Sequence, residues 1–280
     1  MRVEEYSDIV ERALAEDLSD RGDITSASIL PVESMSHGDV VARAEGVLAG
    51  VPVARHVFTR VDDRIALEAR LDDGARVEAG TVIAALSGPS RGILTAERTA
   101  LNLLGRMSGV ATTTAELVSA VAGTGARITD TRKTMPGLRV LDKYAVVVGG
   151  GVNHRMGLYD EVMIKDNHIV AAGDIRAAVA AAREACGPEV RVTVEVEDLD
   201  QLAEVLETSA DRVLLDNMSN ETLSRAVAVV AGRMETEASG GVTLETVRAV
   251  AETGVGYISV GWITHSAPQL DLALDLAPRS

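Results

Sequence analysis

Charged side chains crowd into one stretch of the chain, from Ile128 to Ile169. It holds six basic and five acidic residues, whereas the whole sequence has 42 Asp plus Glu against 27 Lys plus Arg. All three lysines and two of the five histidines, His154 and His168, fall within it. A basic segment in an acidic protein favours a small anionic ligand, because the local field attracts it. The alternative is a solvated basic face; such a face would not need the glycines and histidines found here. The six basic residues are Arg132, Lys133, Arg139, Lys143, Arg155 and Lys165.

Four of these basic residues suit a ligand with more than one negative group. Arginine binds carboxylate or phosphate through two parallel hydrogen bonds, and lysine supplies a compact charge. The four are Arg132, Lys133, Arg155 and Lys165. His154 and His168 could donate hydrogen bonds or stay neutral and structural. A histidine zinc site is disfavoured, because the sequence has no HxxxH or HExxH spacing and the basic neighbours would repel a metal ion. Lys143 falls on a predicted helix between the motifs and is expected to be structural.

Carboxylates and a glycine turn follow later in the chain. Glu195 and Asp216 could bind Mg²⁺, ribose hydroxyls or a positive charge that develops on a sugar carbon. The turn Ser239-Gly240-Gly241 precedes a predicted helix at Leu244, so its backbone amides could bind a phosphate group. Gly261, after a later strand, could add amides to the same site.

The elements that carry these residues alternate between strand and helix. Strand, helix and strand at this spacing indicate right-handed βαβ units and a parallel sheet. At least six strands, without a GxGxxG motif after the first, favour a closed or nearly closed barrel. The polar residues fall at the strand ends, which meet on one rim of such a barrel, where its chemistry takes place. The predicted strands are Arg127–Asp130, Glu161–Lys165, Val190–Val196, Arg212–Asp216, Arg233–Glu237 and Tyr257–Val260, and the helices are Arg176–Cys186, Leu199–Thr208, Glu221–Gly232 and Leu244–Thr253.

The first half of the chain shows a different order of predicted helices and strands. Residues 3 to 18 have one apolar stripe at helical spacing. Strands are predicted at Asp39–Ala44 and Ile65–Ala69, with a helix over Pro52–Val61 between them. The pattern from Ile93 to Val121 is again helical, and two glycines, at 105 and 109, are expected to divide it. Arg98 lies in this region, either as an exposed helix charge or as a functional residue.

Composition bounds the class of protein. The chain has 280 residues, 46 % of them hydrophobic, but only one Phe, one Trp and four Tyr, so the core must consist of Val, Leu, Ile and Ala. The net charge of −15 argues against nucleic acid as a partner. The single Cys186 allows no internal disulfide and is interpreted as a small apolar filler. The start of the chain does not resemble a signal peptide, and no apolar run reaches membrane-spanning length, so a cytoplasmic location is expected.

With these residues identified, the chain closely resembles the quinolinate phosphoribosyltransferase family. The resemblance extends nearly from end to end, and the DTRKT and NHR-x-GL motifs are its most specific part. Its further carriers are Glu16-Asp17-Leu18, Gly22-Asp23-Ile24-Thr25, the segment Leu94–Asn102, Ile164-Lys165-Asp166-Asn167-His168, Glu195-Val196-Glu197, Leu215-Asp216-Asn217, Glu237-Ala238-Ser239-Gly240-Gly241, Gly261 and Thr264-His265-Ser266.

The resemblance implies an α/β fold, with an N-terminal α/β sandwich (residues 1–108) followed by an incomplete parallel α/β barrel (109–266) that carries the active site. The C-terminal segment 267–280 would return to the first domain. The resemblance also implies a homodimer in which each active site borrows Arg98 from the partner subunit.

The resemblance further implies phosphoribosyl transfer from phosphoribosyl pyrophosphate to quinolinate with decarboxylation, in NAD biosynthesis. The catalytic residues would be Lys133, Lys165, Glu195 and Asp216, with Mg²⁺ held by Glu195 and Asp216. The remaining substrate-binding residues would be Arg98, Thr131, Arg132, His154, Arg155, Ser239, Gly240, Gly261 and His265. Two alternatives stay open: a ModD-like or nicotinate-type transferase with a different aromatic acid, and a protein that only senses the dicarboxylate.

Overall fold

The computed structural model describes residues 1–277 and has mixed α/β architecture, with eleven α-helices in that range. The helices are α1 (Ser7–Leu18), α2 (Ile24–Ile29), α3 (Val51–Val61), α4 (Ser90–Ala120), α5 (Arg139–Val148), α6 (Asp166–Ala172), α7 (Ile175–Cys186), α8 (Leu199–Val205), α9 (Asn220–Val230), α10 (Val247–Ala251) and α11 (Trp262–His265), and a 3-10 helix covers Val3–Glu5. The strands are β1 (Met35–Ala42), β2 (Gly46–Val47), β3 (Ala66–Ala69), β4 (Arg76–Val77), β5 (Val82–Pro89), β6 (Arg127–Thr129), β7 (Val162–Ile164), β8 (Val192–Val196), β9 (Arg212–Asp216), β10 (Glu235–Ser239), β11 (Tyr257–Ser259) and β12 (Leu272–Leu276).

The chain divides into two compact units. The first contains Met1–Ala115, Thr134–Gly150 and the described residues from Thr264 onward, and the second contains Glu116–Lys133 and Gly151–Ile263. The sequence-based boundaries, 1–108 and 109–266, stay a prediction about domains, and they differ from this grouping at residues 109–115, 134–150 and 264–266. Residues 278–280 of the predicted returning segment lie outside the described residues.

The first unit is built on an antiparallel sheet with the strand order β12-β1-β5-β3. Its core is largely aliphatic, as the composition requires, and its buried aromatic members among the described residues are Tyr6 and Phe58. Local chemistry fixes the helix starts. Asp23, for example, is the N-cap of α2, and its carboxylate accepts hydrogen bonds from the backbone amides of Thr25 and Ser26 at 3.0 and 2.9 Å.

The second unit is a parallel sheet with the order β6-β11-β10-β9-β8-β7. The last strand of this unit, β11, pairs with its first, β6, whereas β6 and β7 stay at opposite edges of the sheet, so the barrel is incomplete. Each of helices α7, α8 and α9 begins at a polar N-cap that follows a loop, namely Asp174, Asp198 and Ser219. The predicted fold class, an α/β sandwich with an incomplete α/β barrel, is confirmed.

Several predicted elements need correction. Helix α4 runs without a break through both glycines that were expected to divide it. Helix α10 begins at Val247 instead of Leu244, and β10 lies two residues later than predicted. Cys186 is exposed and is not a core filler. None of the helices in residues 1–277 combines the length and apolar character needed to cross a membrane.

Candidate active site

The parallel sheet of the second unit forms a cleft of about 410 Å³ at the carboxyl ends of its strands. This volume suits a small-molecule ligand. Nine of the predicted site residues line the cleft: Thr131, Arg132, Lys133, His154, Arg155, Lys165, Glu195, Asp216 and Ser239. The remaining lining residues are Met163, Leu214, Glu237 and Ser259.

The first group of cations follows β6. The hydroxyl of Thr131 accepts the backbone amide of Lys133 at 3.0 Å, which orders the turn after the strand. Asp130 is fully buried, and its carboxylate accepts the backbone amide of His154 at 2.7 Å. That bond, together with the bridge between Thr129 and Val152, holds the segment that precedes Arg155 beside the end of β6. Two sequence-distant cationic motifs thereby meet at one edge of the sheet.

Positive charge is crowded in the cleft. Burial lowers the pKa of the Arg155 guanidinium, and the charge of Arg132 lowers it further. The nearby acids Glu161 and Asp160 compensate only in part. One guanidinium nitrogen of Arg155 donates to the backbone carbonyl of Glu161 at 3.1 Å, which fixes its side chain. An anion bound here would relieve the repulsion between the two guanidinium groups.

Lys165 lies at the end of β7, where helix α6 begins. Its backbone amide donates to Nδ1 of His168 at 3.0 Å, so His168 orders the turn that presents the lysine. The Lys165 ammonium group donates to the carboxylate of Glu195 on β8. The Lys165 side chain is 42 % exposed and that of Glu195 only 18 % exposed. The ammonium group therefore forms an ion pair with the carboxylate and stays accessible from the cleft.

Asp216 and Ser239 are direct partners in the register of β9 and β10. The chain turns sharply after both strands, and the backbone amide of Asn217 donates to the carbonyl of Ser239 at 2.8 Å. Gly240 follows with a φ of +101°, and a Cβ there would lie 2.9 Å from the backbone nitrogen of Asn217. Only glycine fits this turn, because both the positive φ and the close backbone exclude a side chain.

The sequence-based site omitted four lining residues. Met163 and Leu214 give the cleft an apolar floor, which a flat aromatic ring would cover well. Glu237 is fully buried, and Ser259 is 5 % exposed. Burial raises the pKa of Glu237, but hydrogen bonds from His154 and Ser259 and the charge of Arg212 outweigh burial, so the pKa is held below its ordinary value.

A signal for three of these residues was present in the sequence. Side chains two residues apart in a strand point to the same face. Met163 lies two residues before Lys165, Leu214 two before Asp216, and Glu237 two before Ser239. Counting back from each strand end would have found them.

Four predicted site residues are not among the described residues that line the cleft. Arg98 is exposed on α4, and His265 ends α11 in the first unit. Gly240 and Gly261 follow β10 and β11. As glycines they could contact a ligand only through backbone groups. Lys143, which the sequence left unexplained, is buried on α5 in the first unit.

The carboxylates of the cleft fit Mg²⁺ only as part of a shared site. No group of three or more potential metal ligands occurs among residues 1–277. Glu195 and Asp216 are therefore a pair and not a cage. Mg²⁺ commonly keeps several waters and binds through one or two carboxylates together with substrate phosphates, and this donor set matches that mode.

Comparison of the chain with known protein families and relatives agrees with the residues found in this cleft. The family model described as "Quinolinate phosphoribosyl transferase, C-terminal domain" matches residues 110–275, and the corresponding N-terminal model matches 23–108. The chain is 46 % identical to the nicotinate-nucleotide pyrophosphorylase [carboxylating] of Mycobacterium leprae, over 96 % of each chain. It is 44 % identical to the probable nicotinate-nucleotide pyrophosphorylase [carboxylating] of Bacillus subtilis, over 91 % of this chain and 88 % of the other.

Solved structures share the whole fold. The crystal structure of NadC from Streptococcus pyogenes superposes with a TM-score of 0.95 at 37 % identity, covering 99 % of this chain and 98 % of the other. The nicotinate-nucleotide pyrophosphorylase of Francisella tularensis gives a TM-score of 0.95 at 39 % identity, with the same coverage. Two family models that together span nearly the whole chain, and relatives matched over almost their full length, show that the chain belongs to the quinolinate phosphoribosyltransferase family of pentosyltransferase enzymes.

Proposed function

We propose that this chain transfers the phosphoribosyl group of phosphoribosyl pyrophosphate to quinolinate and releases CO₂ and pyrophosphate. The product would be nicotinate mononucleotide, an intermediate of NAD biosynthesis. The observation that carries the proposal is the pairing of Arg132 and Arg155 in a partly desolvated cleft with an apolar floor. Two guanidinium groups beside Met163 and Leu214 suit an aromatic ring that carries two carboxylates.

We assign the reaction at the ribose to Glu195 on β8 and Asp216 on β9, two inner strands of the parallel sheet. The pyridine nitrogen would displace pyrophosphate from the anomeric carbon, which becomes cationic in the transition state. The carboxylates of Glu195 and Asp216 would stabilise this charge through fixed, partly buried negative groups. Lys133 and Lys165 would stabilise the negative charge that develops on the departing pyrophosphate. No protein nucleophile is needed, because the acceptor nitrogen is itself the nucleophile.

Decarboxylation follows from the product of the first step. Once alkylated, the pyridinium ring can accept the electron pair of the bond that joins it to the adjacent carboxylate, which departs as CO₂. A proton from water then adds to the same ring carbon, so a C–H bond replaces the bond to the carboxylate. Arg132 and Arg155 would orient the two carboxylates, so that one is held while the other departs. The chain needs only to bind and orient at this stage.

Mg²⁺ would be held by Glu195 and Asp216 together with the diphosphate of the donor, and it would neutralise charge on the leaving group. The phosphate of the ribose 5′ position is assigned to Ser239, Gly240 and Gly261, with His265 near the same group. Backbone amides after a strand are suited to that role.

The functional unit is proposed to be a homodimer, with Arg98 of each subunit completing the active site of the other. Its exposure on α4 is consistent with a residue that serves a second chain. We place the reaction in the cytoplasm, because an exposed lone thiol such as Cys186 is best kept in a reducing compartment.

A single assay tests the proposal. Purified protein is mixed with phosphoribosyl pyrophosphate, Mg²⁺ and quinolinate, and nicotinate mononucleotide and CO₂ are measured. Equal amounts of both products are expected with quinolinate, and none without Mg²⁺. Turnover of nicotinate but not quinolinate would indicate a transferase with a different acceptor, such as a ModD-like enzyme. Tight quinolinate binding without any turnover would indicate a sensor of the dicarboxylate.

A further inference from the structure

A buried carboxylate lies beneath the candidate active site and has no assigned role. Glu237 on β10 is fully buried and has three polar neighbours. One carboxylate oxygen lies 3.3 Å from Nε2 of His154 and accepts a hydrogen bond from Arg212 at 3.0 Å. The other oxygen accepts a hydrogen bond from the hydroxyl of Ser259. A buried charge with so many partners is held in one geometry.

The contacts of His154 determine its protonation. The backbone amide of Arg155 donates to Nδ1 of the ring at 2.7 Å. A nitrogen that accepts a hydrogen bond carries no proton, so this contact places the ring proton on Nε2. Nε2 faces Glu237, and the carboxylate is the natural acceptor for that proton. In this form the imidazole has no N–H group left for a ligand.

The ring instead links Glu237 to Arg155. Its Nε2–H is oriented by the carboxylate, and its Nδ1 holds the backbone amide that immediately precedes the Arg155 side chain. The backbone amide of His154 is in turn bound to Asp130 at 2.7 Å, so the whole dipeptide is anchored. A proton on Nδ1 would place N–H against N–H at Arg155, which the 2.7 Å contact does not tolerate.

We propose that Glu237 is a positioning residue, which keeps His154 in the Nε2–H form and thereby fixes the Arg155 guanidinium for an acceptor carboxylate. The proposal rests on the proposed function for the identity of that carboxylate. It departs from the role that the family resemblance implies for His154, which is binding of the substrate. In metal sites, a hydrogen bond to a carboxylate likewise fixes the tautomer and the orientation of a histidine ring.

Three variants separate positioning from general stability. Glu237→Met keeps the length of the side chain but removes the acceptor. Glu237→Gln retains an acceptor for Nε2–H, and its amide can donate to Ser259. The matched control is Glu235→Met on the same strand, which removes the other carboxylate bound to Arg212, at 2.9 Å, without a recorded contact to His154. Circular dichroism and thermal unfolding verify that each variant is folded.

The first readout is the tautomer of His154, from long-range ¹H–¹⁵N spectra of the resting protein, with the signal assigned by its loss in His154→Gln. We expect a bare Nδ1 and a protonated Nε2 in the wild type and in Glu237→Gln, and a mixture of forms in Glu237→Met. This readout does not depend on turnover. A wild-type spectrum with the proton on Nδ1, or with both nitrogens protonated, would overturn the proposal even if the Met variant does not fold.

The second readout is kinetic. Glu237→Met should raise the KM for quinolinate about 10- to 100-fold and leave the KM for phosphoribosyl pyrophosphate nearly unchanged. Glu237→Gln should recover most of the loss, and Glu235→Met should show none of it. An equal rise of both KM values, or no recovery in the Gln variant, would contradict the proposal. If the wild type does not turn over quinolinate, the proposed function fails, while the spectra still decide the role of Glu237.

Discussion

At the scale of single residues, the cleft is defined by like charges that the fold brings together. Arg132 and Arg155 are separated by 22 residues of sequence, yet burial and then the charge of Arg132 lower the pKa of Arg155. Such crowding destabilises the empty protein and is reversed by a bound anion. The residues are therefore better explained by a ligand than by stability.

Arg132→Ala tests this directly. We expect kcat/KM for quinolinate to fall about 10²- to 10³-fold, because one cationic donor is removed from a partly desolvated site. The kcat/KM of Arg132→Lys should lie between those of the wild type and Arg132→Ala, since lysine keeps the charge but loses the two parallel hydrogen bonds of arginine. Arg176→Ala, at an exposed position of α7, is the control and should match the wild type. Wild-type activity in Arg132→Ala would show that the assignment of this residue is wrong.

Glu237 shows what residue types alone do not reveal. In the sequence, Glu237 lies two residues before the turn Ser239-Gly240-Gly241. The phosphate site was predicted at that turn, and Glu237 received no role. Only the structure shows that its side chain points inward beside His154 and Arg212, which come from other strands and loops.

At the scale of elements, the long helix α4 illustrates how tertiary contacts override local preference. Glycine in a helix costs up to about 1 kcal/mol relative to alanine, which is why a break was expected at the two glycines. The helix nevertheless continues, because the C-terminal segment crosses it there. The amide of Leu270 donates to the carbonyl of Gly105 at 3.0 Å, and a Cβ at Gly109 would lie 1.9 Å from the carbonyl oxygen of Pro268.

Gly109→Ala should therefore destabilise the protein, although the same change in an open helix would stabilise it by about 0.5–1 kcal/mol. The backbone of the crossing segment would have to move, and we expect a net loss of about 3 kcal/mol, as for overpacked cores. Thermal unfolding by calorimetry measures the change. Ser119→Ala, at an exposed position of the same helix, should leave the transition in place. An increase in Tm for Gly109→Ala would show that the crossing segment does not limit this position.

At the scale of the whole molecule, the proposed dimer makes a distinctive prediction. If Arg98 completes the site of the partner subunit, Arg98→Ala and Arg132→Ala should each be nearly inactive alone. After unfolding and refolding as an equal mixture, half of the dimers would contain one subunit of each kind, and each such dimer would have one intact site. Activity should therefore return to about one quarter of the wild-type level.

Two controls accompany that mixture. Each variant refolded alone should stay inactive, and mixing without unfolding should restore activity only as fast as subunits exchange. If the refolded mixture shows no more activity than the two variants separately, Arg98 acts within its own subunit or has no role in the reaction.

The sequence by itself determined the class of the fold and most of the residues in the cleft. Hydrophobic periodicity is a local property, so the alternation of strand and helix was readable, and the carboxyl ends of parallel strands must share one rim. Residue chemistry then indicated an anion site next to carboxylates. Element ends were less certain, because caps and last turns depend on a few hydrogen bonds.

Only the tertiary structure decided which side chains meet, because contacts between distant strands have no local signature. It separated Lys143, buried in the first unit, from Lys133 and Lys165, which line the cleft. It kept α4 continuous through a crossing that no local pattern encodes. It also directed the ring proton of His154 toward Glu237, since that choice depends on a backbone amide at one nitrogen and a buried carboxylate at the other.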